Sequence, residues 1–154
     1  MELRFYYPSF VTRFPTHVSL ALSVPENIFE TMLQFKHVGS TIHITPSREK
    51  TYIFDVAETV QWRTEDLPCQ TVPVPVDGLN ALFVLQWLVR QIGKPYDYVG
   101  RYTPIVTEGK FHPAKLVMCA LSQVLSIDQP ETYSIGQVLE WSTRMQYPEE
   151  MDCT

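Results

Sequence analysis

Apolar and small polar residues alternate along the stretch from Val18 to Val24, so that every second side chain is large and apolar. A period of two residues is the pattern of a half-buried β-strand. His17 comes just before this stretch and shares the face of Ser19, which carries only small residues. We expect this face to let another element approach the imidazole closely.

Three later segments also have strand character. Residues 41–45 and 52–56 are separated by a polar turn, which predicts a β-hairpin with a longer loop. Residues 71–76 interleave prolines with valines, which allows an edge strand or an extended linker but no central strand. For residues 28–35 the pattern leaves a short helix and an irregular loop equally open. Together the strands predict a small antiparallel sheet.

Helical periodicity appears in the second half of the chain. Leu82, Leu85, Val89 and Ile92 recur at helical spacing between an N-capping Asp77 and a terminating Gly93.

A second apolar run covers residues 116–127, and two starts are open for it: Pro113 can begin a helix early, or Leu116 to Met118 can be extended. A third helix is predicted from Ser134, because Gln137 stands where a capping-box partner belongs. The prediction is an α+β fold with a small antiparallel sheet and about three helices.

Length and composition restrict the class of protein. A chain of 154 residues with 45% hydrophobic content is the size of one domain, predicted over residues 1–147 with a flexible tail over 148–154. The net charge of −5 comes without a basic cluster, so a nucleic-acid partner is not expected. No apolar run approaches the roughly 20 residues of a membrane span and no signal peptide is evident, which favours the cytoplasm.

Cysteine and histidine spacing gives no sign of a metal site. The three cysteines include no Cys-x-x-Cys pair, and the four histidines include no His-x-x-x-His pair. We therefore expect no cofactor, no metal and no disulfide framework.

One motif points to a family. The sequence Gly93-Lys94-Pro95-Tyr96-Asp97-Tyr98, with Thr16-His17-Val18 before it and Cys119 after it, resembles the circularly permuted papain-like cysteine hydrolases, the YiiX-like relatives of the NlpC/P60 group. The resemblance implies a permuted papain-like fold. The compact chain is also similar to small phage-encoded proteins of this pattern, which would place it in a virion or in the host cytoplasm.

The resemblance also implies site residues. Cys119 would be the nucleophile and His17 its base, with His37 the main competitor of His17 and His112 a further candidate. The third catalytic residue would come from the strand next to His17, which favours His43 and leaves Asp55 and Glu58 as alternatives one strand further on. Tyr96 and Asp97 would line the substrate site.

The chemistry of a cysteine nucleophile sets a structural condition. An ordinary thiol is mostly protonated at neutral pH, so it needs a helix N-terminus or an imidazolium to hold it as a thiolate. If the helix begins at Cys119, the free N–H groups of its first turn stabilise the thiolate and form an oxyanion hole.

Two classes of function follow. The first is a cysteine hydrolase that cleaves a peptide, a peptidoglycan cross-peptide or an acyl-lipid through a thioester acyl-enzyme. The second is a non-catalytic papain-like protein, structural or virion-associated, that docks a protein partner. In the family, the nucleophilic cysteine is usually followed by Ser-Glu and then a Leu-Val pair. If Leu116-Val117 is aligned with that pair, Pro113 takes the position of the nucleophile, which favours the second class.

Overall fold

The sheet forms one layer of an α+β fold. The computed structural model describes residues 1–7, 14–23, 42–46, 51–56, 69–91 and 94–146. Within these residues five strands pair antiparallel in the order β3-β4-β2-β1-β5. The strands are β1 (Glu2–Tyr6), β2 (His17–Ser23), β3 (Ile42–Pro46), β4 (Thr51–Val56) and β5 (Cys69–Pro73).

Helices follow in the second half of the chain. In the described part they are α1 (Gly78–Gln91), α2 (Tyr98–Tyr102), α3 (Pro113–Leu121) and α4 (Ile135–Gln146), with a 3₁₀ turn over Pro130–Thr132 before α4.

The predicted strands are present, and one more is added. β2 has its expected bounds to within a residue, and β3 and β4 form the predicted hairpin. Of the two alternatives for residues 71–76, the edge strand is observed as β5 beside β1, but it covers Cys69–Pro73 and ends before Val74. β1 is absent from the sequence prediction, although Glu2 to Phe5 alternates polar and apolar residues. Leu3 and Phe5 are fully buried, whereas Glu2 and Arg4 form an ion pair at 3.0 Å on the other face.

The core lies between the sheet and the helices. α3 is its centre, because eight of its nine residues are buried and it packs on β2. The strands contribute Leu3, Phe5, Val18, Leu20 and Val72 to the core, and the helices contribute Val84, Leu85, Leu88, Leu116, Val117, Met118, Leu121 and Val138.

The helix predictions are confirmed in outline and corrected in detail. α1 has the expected extent, but Leu82 is exposed and the buried stripe is Val84, Leu85 and Leu88. The predicted capping box of α4 is present, with Ser134 N donating to Gln137 Oε1 at 2.8 Å and Gln137 N donating to Ser134 Oγ at 3.2 Å.

Two further outcomes complete the comparison. The short helix α2 is absent from the sequence prediction. The predicted tail, residues 148–154, lies outside the described residues, as do residues 28–35. The structure supports an α+β fold with a small antiparallel sheet.

Candidate functional site

The first turn of α3 begins at Pro113, the earlier of the two predicted starts. His112 has an extended backbone, with φ −110° and ψ 168°, and its Nδ1 accepts a hydrogen bond from Lys115 N at 3.4 Å. Proline suits the first helical position, because it has no N–H to leave unpaired and its φ is already helical. His112 therefore acts as the N-cap, and the free N–H groups of the helix lie near it.

Cys119 does not meet the condition for an activated thiol. It is the seventh of nine residues in α3 and lies in the last turns of the helix, where the dipole is negative and disfavours a thiolate. Burial raises the pKa of its thiol to about 11; nearby Lys115 lowers that pKa, and Glu131 raises it further. Of the two helix starts left open, the structure has the one at Pro113, so Cys119 lacks the N-terminal position that a thiolate needs, and a pKa of about 11 leaves the thiol protonated at neutral pH.

His17 lies on the other face of the sheet from α3. Side chains alternate along β2, and Val18 and Leu20 point into the core that α3 shares. His17 is directed away from it: its ring lies 5.8 Å from the ring of Tyr6, its register partner on β1. The structure therefore does not bring His17 and Cys119 together.

The strand order changes the candidates for the third catalytic residue. β4, not β3, is the neighbour of β2, because the hairpin places β4 against Leu20 to Ser23. Asp55 is therefore on the adjacent strand and His43, its register partner on β3, is one strand further away, the reverse of the expectation. Glu58 and His37 lie outside the described residues.

Tyr96 and Asp97 do lie beside the start of α3. Asp97 N donates to Phe111 O at 2.8 Å and Phe111 N donates to Pro95 O at 3.1 Å, so the two segments run side by side just before His112. Asp97 Oδ1 accepts a hydrogen bond from Gly100 N at 2.8 Å and caps α2. The carboxylate is 1% exposed, and its Oδ2 has no hydrogen-bond partner in the structure.

The environment of His112 keeps its imidazole neutral. Burial lowers its pKa to about 4; Asp97 opposes this shift, and the positive charges of Lys115 and Arg101 add to it. A neutral ring retains the lone pair on Nδ1 that caps α3. The titration of His112 is thus tied to the start of the helix.

Two basic residues complete this cluster, and sequence reasoning missed both. Arg101 donates to the Tyr96 hydroxyl and, through Nη2 at 3.0 Å, to Thr16 O at the entry to β2. Lys115 is 6% exposed, and its Nζ donates to the carbonyls of Thr107 at 2.6 Å and Lys110 at 2.8 Å. A lysine inside an apolar helical run was the available signal for a buried, hydrogen-bonded ammonium group.

We name the residues that surround the start of α3 the cap cluster: Tyr96, Asp97, Gly100, Arg101, His112 and Lys115. The hydrogen bonds of this cluster join α2, α3 and the entry to β2. Its geometry is that of a structural junction. No nucleophilic thiol or serine hydroxyl belongs to it.

Two searches of the described residues and three comparisons bear on function. Within the described part, no group of three or more His, Cys, Asp or Glu side chains is arranged to hold a metal ion. None of the helices described there is long and apolar enough to cross a bilayer. The chain matches no family model, no curated protein and no solved structure.

Proposed function

We propose that this chain is a non-catalytic papain-like protein that works by docking a protein partner. The observation that carries the proposal is the start of α3 at Pro113, which leaves Cys119 near the other end of the helix with a protonated thiol. A papain-like hydrolase needs its cysteine where the helix begins, because only there do the dipole and the free N–H groups stabilise the thiolate.

The Leu-Val register gives the proposal further support. In that register the family's nucleophile corresponds to Pro113, and in the structure Pro113 is the first residue of the helix. A proline has no nucleophilic side chain and no N–H for an oxyanion hole. Under this proposal α3 corresponds to the helix that serves catalysis in the family, with the reacting group replaced.

The docking half of the proposal is supported by an exposed apolar surface. Five residues of α2 and the loop after it are each about half or more exposed, and Tyr102 reaches 73%. Clustered apolar residues at a protein surface mark interaction sites, and these five fall within residues 98–106. We call this set the α2 surface: Tyr98, Val99, Tyr102, Ile105 and Val106.

The cap cluster anchors this surface to the rest of the fold. Asp97 caps the start of α2, and Arg101 in its last turn donates to Thr16 O in front of β2. A surface that is ordered before binding loses less entropy when the partner arrives. Cysteine hydrolysis, the other function class, stays a prediction. In the described residues Cys119 and His17 do not lie together.

The test compares turnover with complex formation in the same preparations. Turnover by the parent and by Cys119→Ala is assayed on fluorogenic amides and esters. Complexes of the same proteins are isolated from the producing cells by size-exclusion chromatography. The proposal predicts no turnover that depends on Cys119, and a stoichiometric complex that Cys119→Ala retains and Tyr102→Ser loses. Phe83→Ser removes an aromatic residue of α1 that is also more than half exposed, so it is the control variant and should keep the complex.

Turnover in the parent that disappears in Cys119→Ala would overturn the non-catalytic reading. A chain that is monomeric in the producing cells, or a complex that Tyr102→Ser and Phe83→Ser weaken equally, would overturn the assignment of the α2 surface.

A further inference from the structure

We infer that the groove between the 3₁₀ turn and α4 is a binding site for the ring of a neutral sugar, a pyranoside. The groove is open to solvent and has a volume of about 240 Å³. Pockets for drug-sized ligands begin near roughly 300 Å³, so this one suits a single ring. Its lining consists of Thr132, Tyr133, Gln137, Glu140, Trp141 and Arg144.

Two aromatic side chains give the groove an apolar surface. Tyr133 and Trp141 are half-buried and pack against the core on one side, which holds their rings in place. One face of a pyranose ring carries mainly C–H groups, and such a face packs well on the electron-rich face of an aromatic ring. Within the described residues, neither the Tyr133 hydroxyl nor Trp141 Nε1 makes a hydrogen bond, so both are available to a ligand.

The charges of the lining cancel. Glu140 and Arg144 form an ion pair one helical turn apart on α4, and together they leave the groove without net charge. The two side chains are 60% and 59% exposed, so the pair itself is weak. A groove without net charge gives no net attraction to an ion, and a neutral ligand binds beside the pair.

The remaining polar groups favour hydroxyls among neutral ligands. Gln137 Oε1 accepts one hydrogen bond from Ser134 N at 2.8 Å and keeps a second lone pair beside its two amide donors, while Glu140 offers acceptors and Arg144 offers donors. A hydroxyl group both donates and accepts, and it can pair with each of these. An apolar ligand would make no hydrogen bond to any of them.

This inference is independent of the proposed function, because it uses no residue of the cap cluster or the α2 surface. The test is a titration of the ¹⁵N-labelled full chain with methyl glycosides of glucose, mannose, galactose and N-acetylglucosamine. The readout is the Trp141 Nε1–H resonance, which is assigned by its loss in Trp141→Phe. We expect a saturable shift for at least one sugar, with a dissociation constant on the order of millimolar.

Variants and other ligands complete the design. Arg144→Gln alters an exposed side chain, so the fold is retained, and it should weaken sugar binding about tenfold, or about 1.4 kcal/mol. Trp87→Phe changes a tryptophan outside the groove and should leave the affinity unchanged. The inference is overturned if no sugar gives a saturable shift, if Arg144→Gln binds as well as the parent, or if adenosine, acetate or guanidinium binds as tightly as the sugars.

Discussion

The two ends of α3 differ in almost every property that matters for chemistry. At the first turn, His112 caps the helix, Pro113 fills the first position, and Asp97 and Lys115 are buried close by. At the last turn, Cys119 is half-buried among apolar neighbours, and its carbonyl accepts hydrogen bonds from Ser122 and Gln123.

The difference shows that position along a helix decides what a cysteine can do. A thiol at the first turn would meet free N–H groups and the positive end of the dipole, whereas Cys119 meets the negative end and an apolar environment. The polar and charged residues lie at the first turn of α3, whereas the thiol lies near the last turn. In this chain the first turn of the helix is therefore capped by His112, and the thiol packs among apolar neighbours near the last turn.

Packing at the last turns provides the largest expected effect. Met118 is fully buried, so Met118→Ala should lower the free energy of unfolding by about 3 to 4 kcal/mol through lost burial and the cavity left behind. Its neighbour Cys119 is only half-buried, and Cys119→Ala should cost about 1 kcal/mol. Urea unfolding of both variants measures this contrast, and an equal cost for the two would contradict the described packing.

Acid should lower the stability of the fold through His112 at the first turn of α3. The pKa of His112 is about 4 in the folded chain and 6.5 in its ordinary state, so the unfolded chain takes up the proton first. The contribution of neutral His112 to the free energy of unfolding, up to about 3 kcal/mol, is fully present above pH 6.5 and is lost as the pH falls towards 4.

The matched variant is His112→Asn, which keeps an N-cap side chain but does not titrate. Unfolding free energies of parent and variant across this pH range should converge as the pH falls, since only the parent loses the contribution of His112. Parallel curves for the two proteins would show that His112 is not buried as a neutral cap.

A glycine pair tests the junction beside the first turn. A Cβ at Gly100 would overlap the Asp97 carboxylate, so Gly100→Ala should displace the cap of α2 and cost about 2 kcal/mol. At Gly136 in α4 a Cβ meets open space, and Gly136→Ala should stabilise the chain by about 0.5 to 1 kcal/mol. Thermal unfolding of the two variants gives the comparison, and a neutral Gly100→Ala would argue against the buried Asp97 cap.

Much of the fold was accessible from the sequence because it follows from local pattern. Alternation gave β2 and the hairpin, and the Ser134 and Gln137 spacing gave the cap of α4. The start of α3 was open because proline suits both a helix start and the residue after an extended segment. The choice depends on His112 and its burial beside Asp97, which is a tertiary contact.

The candidate catalytic site was less predictable for the same reason. Whether His17 meets Cys119 depends on which face of β2 packs on α3, and alternation alone says only that the two faces differ. Likewise, strand order is set by long-range pairing, so the neighbour of β2 was not readable from the order of the hairpin strands in the chain.

The most direct test of the central claim is the rate of Cys119 alkylation by iodoacetamide as a function of pH. Peptide mass spectrometry would follow Cys119 and the exposed Cys69 separately in the parent and in His17→Ala. We predict slow labelling of Cys119 that rises only as the pH approaches 11 and is unchanged by His17→Ala. Rapid labelling at neutral pH that His17→Ala slows would establish a thiolate–imidazolium pair and contradict the non-catalytic account.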